Sequence, residues 1–188
     1  MTFLVGVAFV AVGSLAMGGD LGSGEPTDLY DAAVSGDLAA VKRIVNAHPE
    51  AVNVTDEHGF TALHGLAEEE HPEIALYLLD HGANVNASND DGVTPLHLAG
   101  WPEMARLFLR RGARLEATTR TGETPLLMLA AEPEREDVLG VLLEAGARVN
   151  ARGADGRTAL DIAIARKEPG KVALLRRHGG KTARELDR

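Results

Sequence analysis

The sequence predicts an all-α solenoid of stacked helix–turn–helix units with short β-turn projections. A nine-residue pattern returns four times at a nearly constant step. A Leu-Leu ending followed by glycine closes each unit. The apolar side chains that must pack the interior are small: hydrophobic residues make up 45% of the chain but aromatics only 4%. Ala and Leu suit closely stacked helices better than strands, and self-similarity at a period of 20–50 residues marks a repeat architecture.

The recurring pattern is Asp56-Glu-His-Gly-Phe-Thr-Ala-Leu-His64, Asn89-Asp-Asp-Gly-Val-Thr-Pro-Leu-His97, Thr119-Arg-Thr-Gly-Glu-Thr-Pro-Leu-Leu127 and Gly153-Ala-Asp-Gly-Arg-Thr-Ala-Leu-Asp161. Its glycines stand at 59, 92, 122 and 156, steps of 33, 30 and 34. The endings are Leu78-Leu79 before Gly82, Phe108-Leu109 before Gly112, Leu142-Leu143 before Gly146, and Leu174-Leu175 before Gly179. A divergent first unit runs from Asp28 through Gly36 to Asn53.

Each unit has a local physical logic. Thr61, Thr94, Thr124 and Thr158 precede an apolar run and are placed to cap a helix with the side-chain oxygen. Pro95 and Pro125 fall in the first turn, where the missing N–H is harmless. The short first helix carries Leu63, Leu66 and Ala67, or Leu96, Leu98 and Ala99. A second helix carries Ile74, Leu78 and Leu79, or Met104, Leu107 and Phe108. Gly82, Gly112 and Gly146 are expected to end it in the left-handed conformation that glycine adopts readily. Every helix pair leaves apolar surface uncovered, so the units must stack and the terminal one must turn a polar face outward.

These residues resemble the ankyrin repeat, with its D-x-x-G-x-T-P-L-H pattern and L-L-x-x-G-A-x-V-N ending. The resemblance covers residues 26–181 as five repeats, 26–55, 56–88, 89–118, 119–152 and 153–181, followed by a polar tail at 182–188. It implies a curved stack whose concave face is lined by turn tips and first helices, and a non-catalytic, cofactor-free role in binding another protein. It also implies that His64 and His97 hydrogen-bond the turns rather than hold a metal. Leu127 and Asp161 replace that histidine later, which is expected to weaken the network there.

Composition narrows the function further. The absence of cysteine excludes disulfides, thiolate catalysis and cysteine zinc sites. A net charge of −9 argues against nucleic acid as a partner. The charge is also uneven. Residues 1–94 hold 15 Asp and Glu against Lys42 and Arg43, a net of −13; residues 95–188 hold 13 against 17 Lys and Arg, a net of +4. The acidic half complements a partner with a basic surface. No phosphate loop, nucleophile–base constellation or metal-ligand spacing is present, and Glu68-Glu69-Glu70 reads as a solvated rim, so no catalytic or metal residue is assigned.

Residues 1–19 carry no charged side chain. The run fits a cleaved signal ending near Ala16 or Gly18, although no basic residue precedes it; it also fits a membrane anchor, which would make the chain a structural subunit of a larger membrane assembly, or a helix docked on the domain. Export to the periplasm, membrane attachment and a cytoplasmic location follow respectively from these three. Residues 20–27 read as a linker.

The candidate partner-binding residues are those of the turn tips, Glu57, His58 and Phe60, then Asp90, Asp91 and Val93, then Arg120 and Glu123, then Arg157, together with Trp101. Tips are exposed in any such stack, so charge there is ordinary, but its change of sign along the row is not. Trp101 is the single tryptophan and stands where the third repeat is three residues short. It either fills the resulting notch or anchors a partner there.

Overall fold

The computed structural model describes residues 29–188; the apolar run at 1–19, the linker and the first residues of the first repeat lie outside the described residues. Among those described, helices and turns make the whole architecture, with a single isolated bridge between Arg152 and Thr158. The first repeat holds α1 (Leu29–Val34), α2 (Leu38–Ala47) and a 3-10 segment, Pro49–Asn53. The second holds α3 (Ala62–Leu66) and α4 (Pro72–Asp80); the third a 3-10 turn, Pro95–Leu98, and α5 (Pro102–Arg110). The fourth holds α6 (Pro125–Ala131) and α7 (Glu136–Glu144), and the fifth α8 (Ala159–Arg166) and α9 (Pro169–Arg177). The stacked all-α solenoid expected from the sequence is the fold.

One apolar core runs unbroken from Leu29 to Leu175. Fully enclosed alanines (Ala32, Ala67, Ala75, Ala99, Ala105, Ala130 and Ala163) let the helix backbones approach closely, and Phe108, Leu63, Ile74, Leu96 and Leu139 fill the wider spaces. The second helices end as the sequence requires. Gly82, Gly112 and Gly146 have φ of 91°, 85° and 91°. The amides that follow them, those of Ala83, Ala113 and Ala147, donate back to Leu78, Phe108 and Leu142 carbonyls at 2.9–3.0 Å. This is the closure that satisfies otherwise orphaned carbonyls at a helix end.

The third repeat departs from the expected short α-helix after Thr94: it forms one 3-10 turn instead. The missing three residues are the reason. Ala99 leaves the helix at once, Gly100 N donates to Ala67 O at 2.8 Å, and α5 begins at Pro102.

Polar side chains bolt each repeat to the next. Asn53 Nδ2 donates to Gly82 O (2.9 Å) while its Oδ1 accepts from Asn84 N (2.8 Å). Asn86 does the same to Gly112 O and Arg114 N, and Asn150 to Gly179 O and Lys181 N. Glu116 stands in this series with only an acceptor to offer, and it takes Arg148 N at 2.8 Å.

The fifth repeat has a further tie. Lys171, in α9, is only 1% exposed. Its Nζ donates to the carbonyls of Leu129 (3.1 Å) and Glu132, at the C-terminal end of α6. An ammonium suits that place, because helix ends present unpaired carbonyls and a partial negative charge. Burial nevertheless pushes the Lys171 amine below its ordinary range, opposed by the nearby Glu168, Glu132 and Glu136. Residues 182–188 carry a last turn, α10 (Ala183–Leu186), capped by Thr182 and tied to α9 by the paired bonds from Arg176 to Glu185, both 2.9 Å.

Candidate protein-binding surfaces

The turn tips are rigid because each is closed on itself. Asp56 N donates to Phe60 O, Asn89 N to Val93 O, Thr119 N to Glu123 O and Gly153 N to Arg157 O, all at 3.0 Å. In the second and third repeats the leading side chain locks the turn again. Asp56 Oδ1 accepts from His58 N and Phe60 N, and Asn89 Oδ1 from Asp91 N and Val93 N. Neighbouring tips are then joined through Asp90 N to His58 O (2.9 Å) and Arg120 N to Asp91 O (2.8 Å). The contact is tight enough that a Cβ on Gly59, at φ 83°, would lie 3.0 Å from Asn89 Cα.

A buried histidine fixes each tip to the stack. His64 Nδ1 accepts from Thr61 N (3.0 Å), which places the proton on Nε2, and Nε2 donates to Val93 O of the next tip (3.0 Å). His97 repeats this between Thr94 N and Glu123 O. Both rings therefore spend both nitrogens on structure. Leu127 breaks the series, as the sequence suggests. Asp161 does not: its Oδ2 accepts from Thr158 N and Oγ1 and from Ala183 N, which carries the link on to α10.

On this frame Glu57, His58, Asp90, Asp91, Arg120 and Arg157 are exposed, while Phe60, Val93 and Glu123 are half-buried. Phe60 packs edge-on against His64, ring centres 5.5 Å apart. Arg157 pairs with Asp155 beside it. Trp101 is not part of this row. The third tip precedes the 3-10 turn Pro95–Leu98 and Trp101 follows it, so the two sit at opposite ends of that segment.

At that far end lies an open groove of roughly 510 Å³ between the third and fourth repeats, walled by Gly100, Trp101 and Pro102 on one side and Glu132 to Arg135, Asp137 and Val138 on the other. Trp101 does not fill the notch. It is 40% exposed and its indole N–H donates to Glu68 O at 3.1 Å. The gap is occupied by Arg135, whose Nη1 donates to Gly100 O at 2.7 Å, so a Cβ at Gly100 would displace the guanidinium. Sequence reasoning missed Arg135: it carries no motif, and its partner lies 35 positions away.

A family model described as ankyrin repeats (3 copies) matches residues 29–119, and one described as ankyrin repeats (many copies) matches 127–172. The chain belongs to the ankyrin-repeat family. Ankyrin repeats are protein–protein interaction modules and are generally non-catalytic. Similar curated proteins include alpha-latrocrustotoxin-Lt1a of Latrodectus tredecimguttatus, 39% identical over 41% of this chain and 5% of the toxin. Palmitoyltransferase akr1 of Schizosaccharomyces pombe is 44% identical over 34% of this chain and 10% of its own length. Human protein phosphatase 1 regulatory subunit 27 is 40% identical over 37% of this chain and 45% of its own. This chain thus spans less than half of each of these relatives. Among the described residues no helix is long and apolar enough to cross a membrane.

One wall of the groove is under backbone strain. Glu134 has φ 55°, a left-handed conformation that favours glycine over side chains carrying Cβ. Glu134→Gly is expected to raise stability by about 1 kcal/mol, read as a higher urea midpoint. An unchanged or lowered midpoint would show that the Glu134 side chain contributes contacts that outweigh the strain.

Proposed function

We propose that this ankyrin array is a non-catalytic module that binds another protein through its row of turn tips and the first helices behind them. The single observation carrying this reading is the row itself, in which exposed charged side chains are mounted on turns closed and cross-linked by backbone hydrogen bonds. Such a surface is ordered before binding, which lowers the entropy lost on association. Its acidic end, with Glu57, Asp90 and Asp91, matches a partner bearing a basic patch, which it would attract chiefly by speeding encounter.

The test uses a partner recovered by affinity purification and the variant Glu57→Gln/Asp90→Asn/Asp91→Asn. Wild type is expected to associate several-fold faster at low salt, with the two rates converging as salt shortens the screening length below ~10 Å. Dissociation rates should differ little. Equal association rates at low salt would remove the acidic tips from the interface.

A further inference from the structure

The groove between the third and fourth repeats combines three properties. It is concave, with a volume of roughly 510 Å³. It holds the chain's single tryptophan at 40% exposure, with the indole N–H already anchored on Glu68 O, so the ring stays partly open to solvent in a fixed position. It also presents two exposed carboxylates, Glu134 and Asp137, which form no ion pair among the described residues. The one cation in the groove, Arg135, is turned to the Gly100 carbonyl. Two prolines, Pro102 and Pro133, complete the lining and offer rigid apolar surface.

We propose that this groove binds an extended, arginine-bearing peptide segment, with the guanidinium set against the Trp101 indole and facing Glu134 and Asp137. An exposed indole attracts a cation through its ring quadrupole, and arginine more than lysine because the planar guanidinium also stacks. Carboxylates alongside supply bidentate acceptors. An acidic or neutral occupant would leave both carboxylates facing like charge or unpaired. The surrounding charge acts in the same direction: the lining sets Glu132, Glu134 and Asp137 against the single cation Arg135. The proposal rests on the reading of the array as a protein-binding module but places a second contact at the end of the first helices away from the tips.

The lone tryptophan makes the test direct, because its fluorescence reports this groove and nothing else. The probe is the peptide acetyl-Gly-Arg-Pro-Arg-Gly-amide, compared with the same peptide carrying citrulline for arginine, which keeps the shape and removes the charge. A saturable change in Trp101 fluorescence is expected for the arginine peptide, with affinity roughly ten-fold weaker for the citrulline peptide and for the Glu134→Gln/Asp137→Asn protein. Both substitutions are exposed and conservative, and a matching urea midpoint confirms that the variant folds. Backbone amide shifts should concentrate on residues 100–104 and 132–138. The Glu57→Gln/Asp90→Asn/Asp91→Asn protein should bind the peptide as wild type does. Equal affinity for both peptides, or no saturable change, overturns the groove while leaving the tips as the binding surface. Loss of peptide binding only in the tip variant would move the cationic contact to the tips.

Discussion

Lys171→Ala is expected to destabilise the protein by about 4 kcal/mol, and Lys171→Met by about 2 kcal/mol. The alanine variant opens a cavity where a fully enclosed four-carbon stem lay and leaves the Leu129 and Glu132 carbonyls without their donor. Methionine restores most of the volume but no donor, so the remaining deficit measures the two bonds alone, less the desolvation that the buried amine no longer suffers. Because repeat arrays unfold approximately by neighbouring units, the loss should be local. Hydrogen exchange should accelerate first in α8 and α9, with the first three repeats protected as before. A methionine variant as stable as wild type would show that α6 ends satisfactorily without the amine.

Acidification is expected to weaken the array between about pH 6.5 and pH 4. Burial holds His97 neutral down to about 4 and also lowers His64, while in the unfolded chain both take up a proton near 6.5. Between those values the unfolded state binds protons that the folded state refuses, so stability falls with falling pH. For His97 the full loss is about 3 kcal/mol, complete near pH 4. Glu185 behaves otherwise: its bonds from Arg176 and Thr182 hold it near about 2, so its contribution is present above the ordinary carboxylate range and is lost only below that. His97→Asn separates the two windows. Asn retains an acceptor for Thr94 N, much as Asp161 serves Thr158 N, but does not titrate. Urea midpoints from pH 7.5 to 4 should fall less steeply in this variant; an unchanged slope would assign the acid sensitivity to other groups.

What the sequence made legible follows from the range over which each residue acts. The closing glycines obey rules that span four or five positions and form where expected; of the Thr caps, Thr124 and Thr158 accept from Leu127 N and Asp161 N, whereas the hydroxyls of Thr61 and Thr94 meet Nδ1 of His64 and His97 instead. The short third repeat was visible as missing residues, but its consequence was not. A single 3-10 turn replaces a helix there, and the space is taken by an arginine from the following unit. Arg135 and Lys171 look like ordinary surface cations in amphipathic helices; their partners lie 35 and 39–42 residues away, beyond any local pattern. Asp161 misled for a different reason. By residue type it interrupts the histidine series, whereas by geometry a carboxylate oxygen can accept the same amide.

The joints between repeats are unequal in a way that gives the molecule a mechanical asymmetry. The second, third and fourth tips are laced together by backbone bonds and histidines, but among the described backbone bonds none runs from the fourth tip to the fifth, and Leu127 supplies no side-chain bond either. That joint is pinned instead by Asn150 and, at the opposite end of the first helices, by Lys171. It resembles a book bound along its spine with the last page uncut from the cover but free at the fore-edge. A load drawing the tips apart would meet three teeth that move as one comb and a fourth that yields alone, so force on a bound partner would be borne by the acidic end of the row and shed at the basic one.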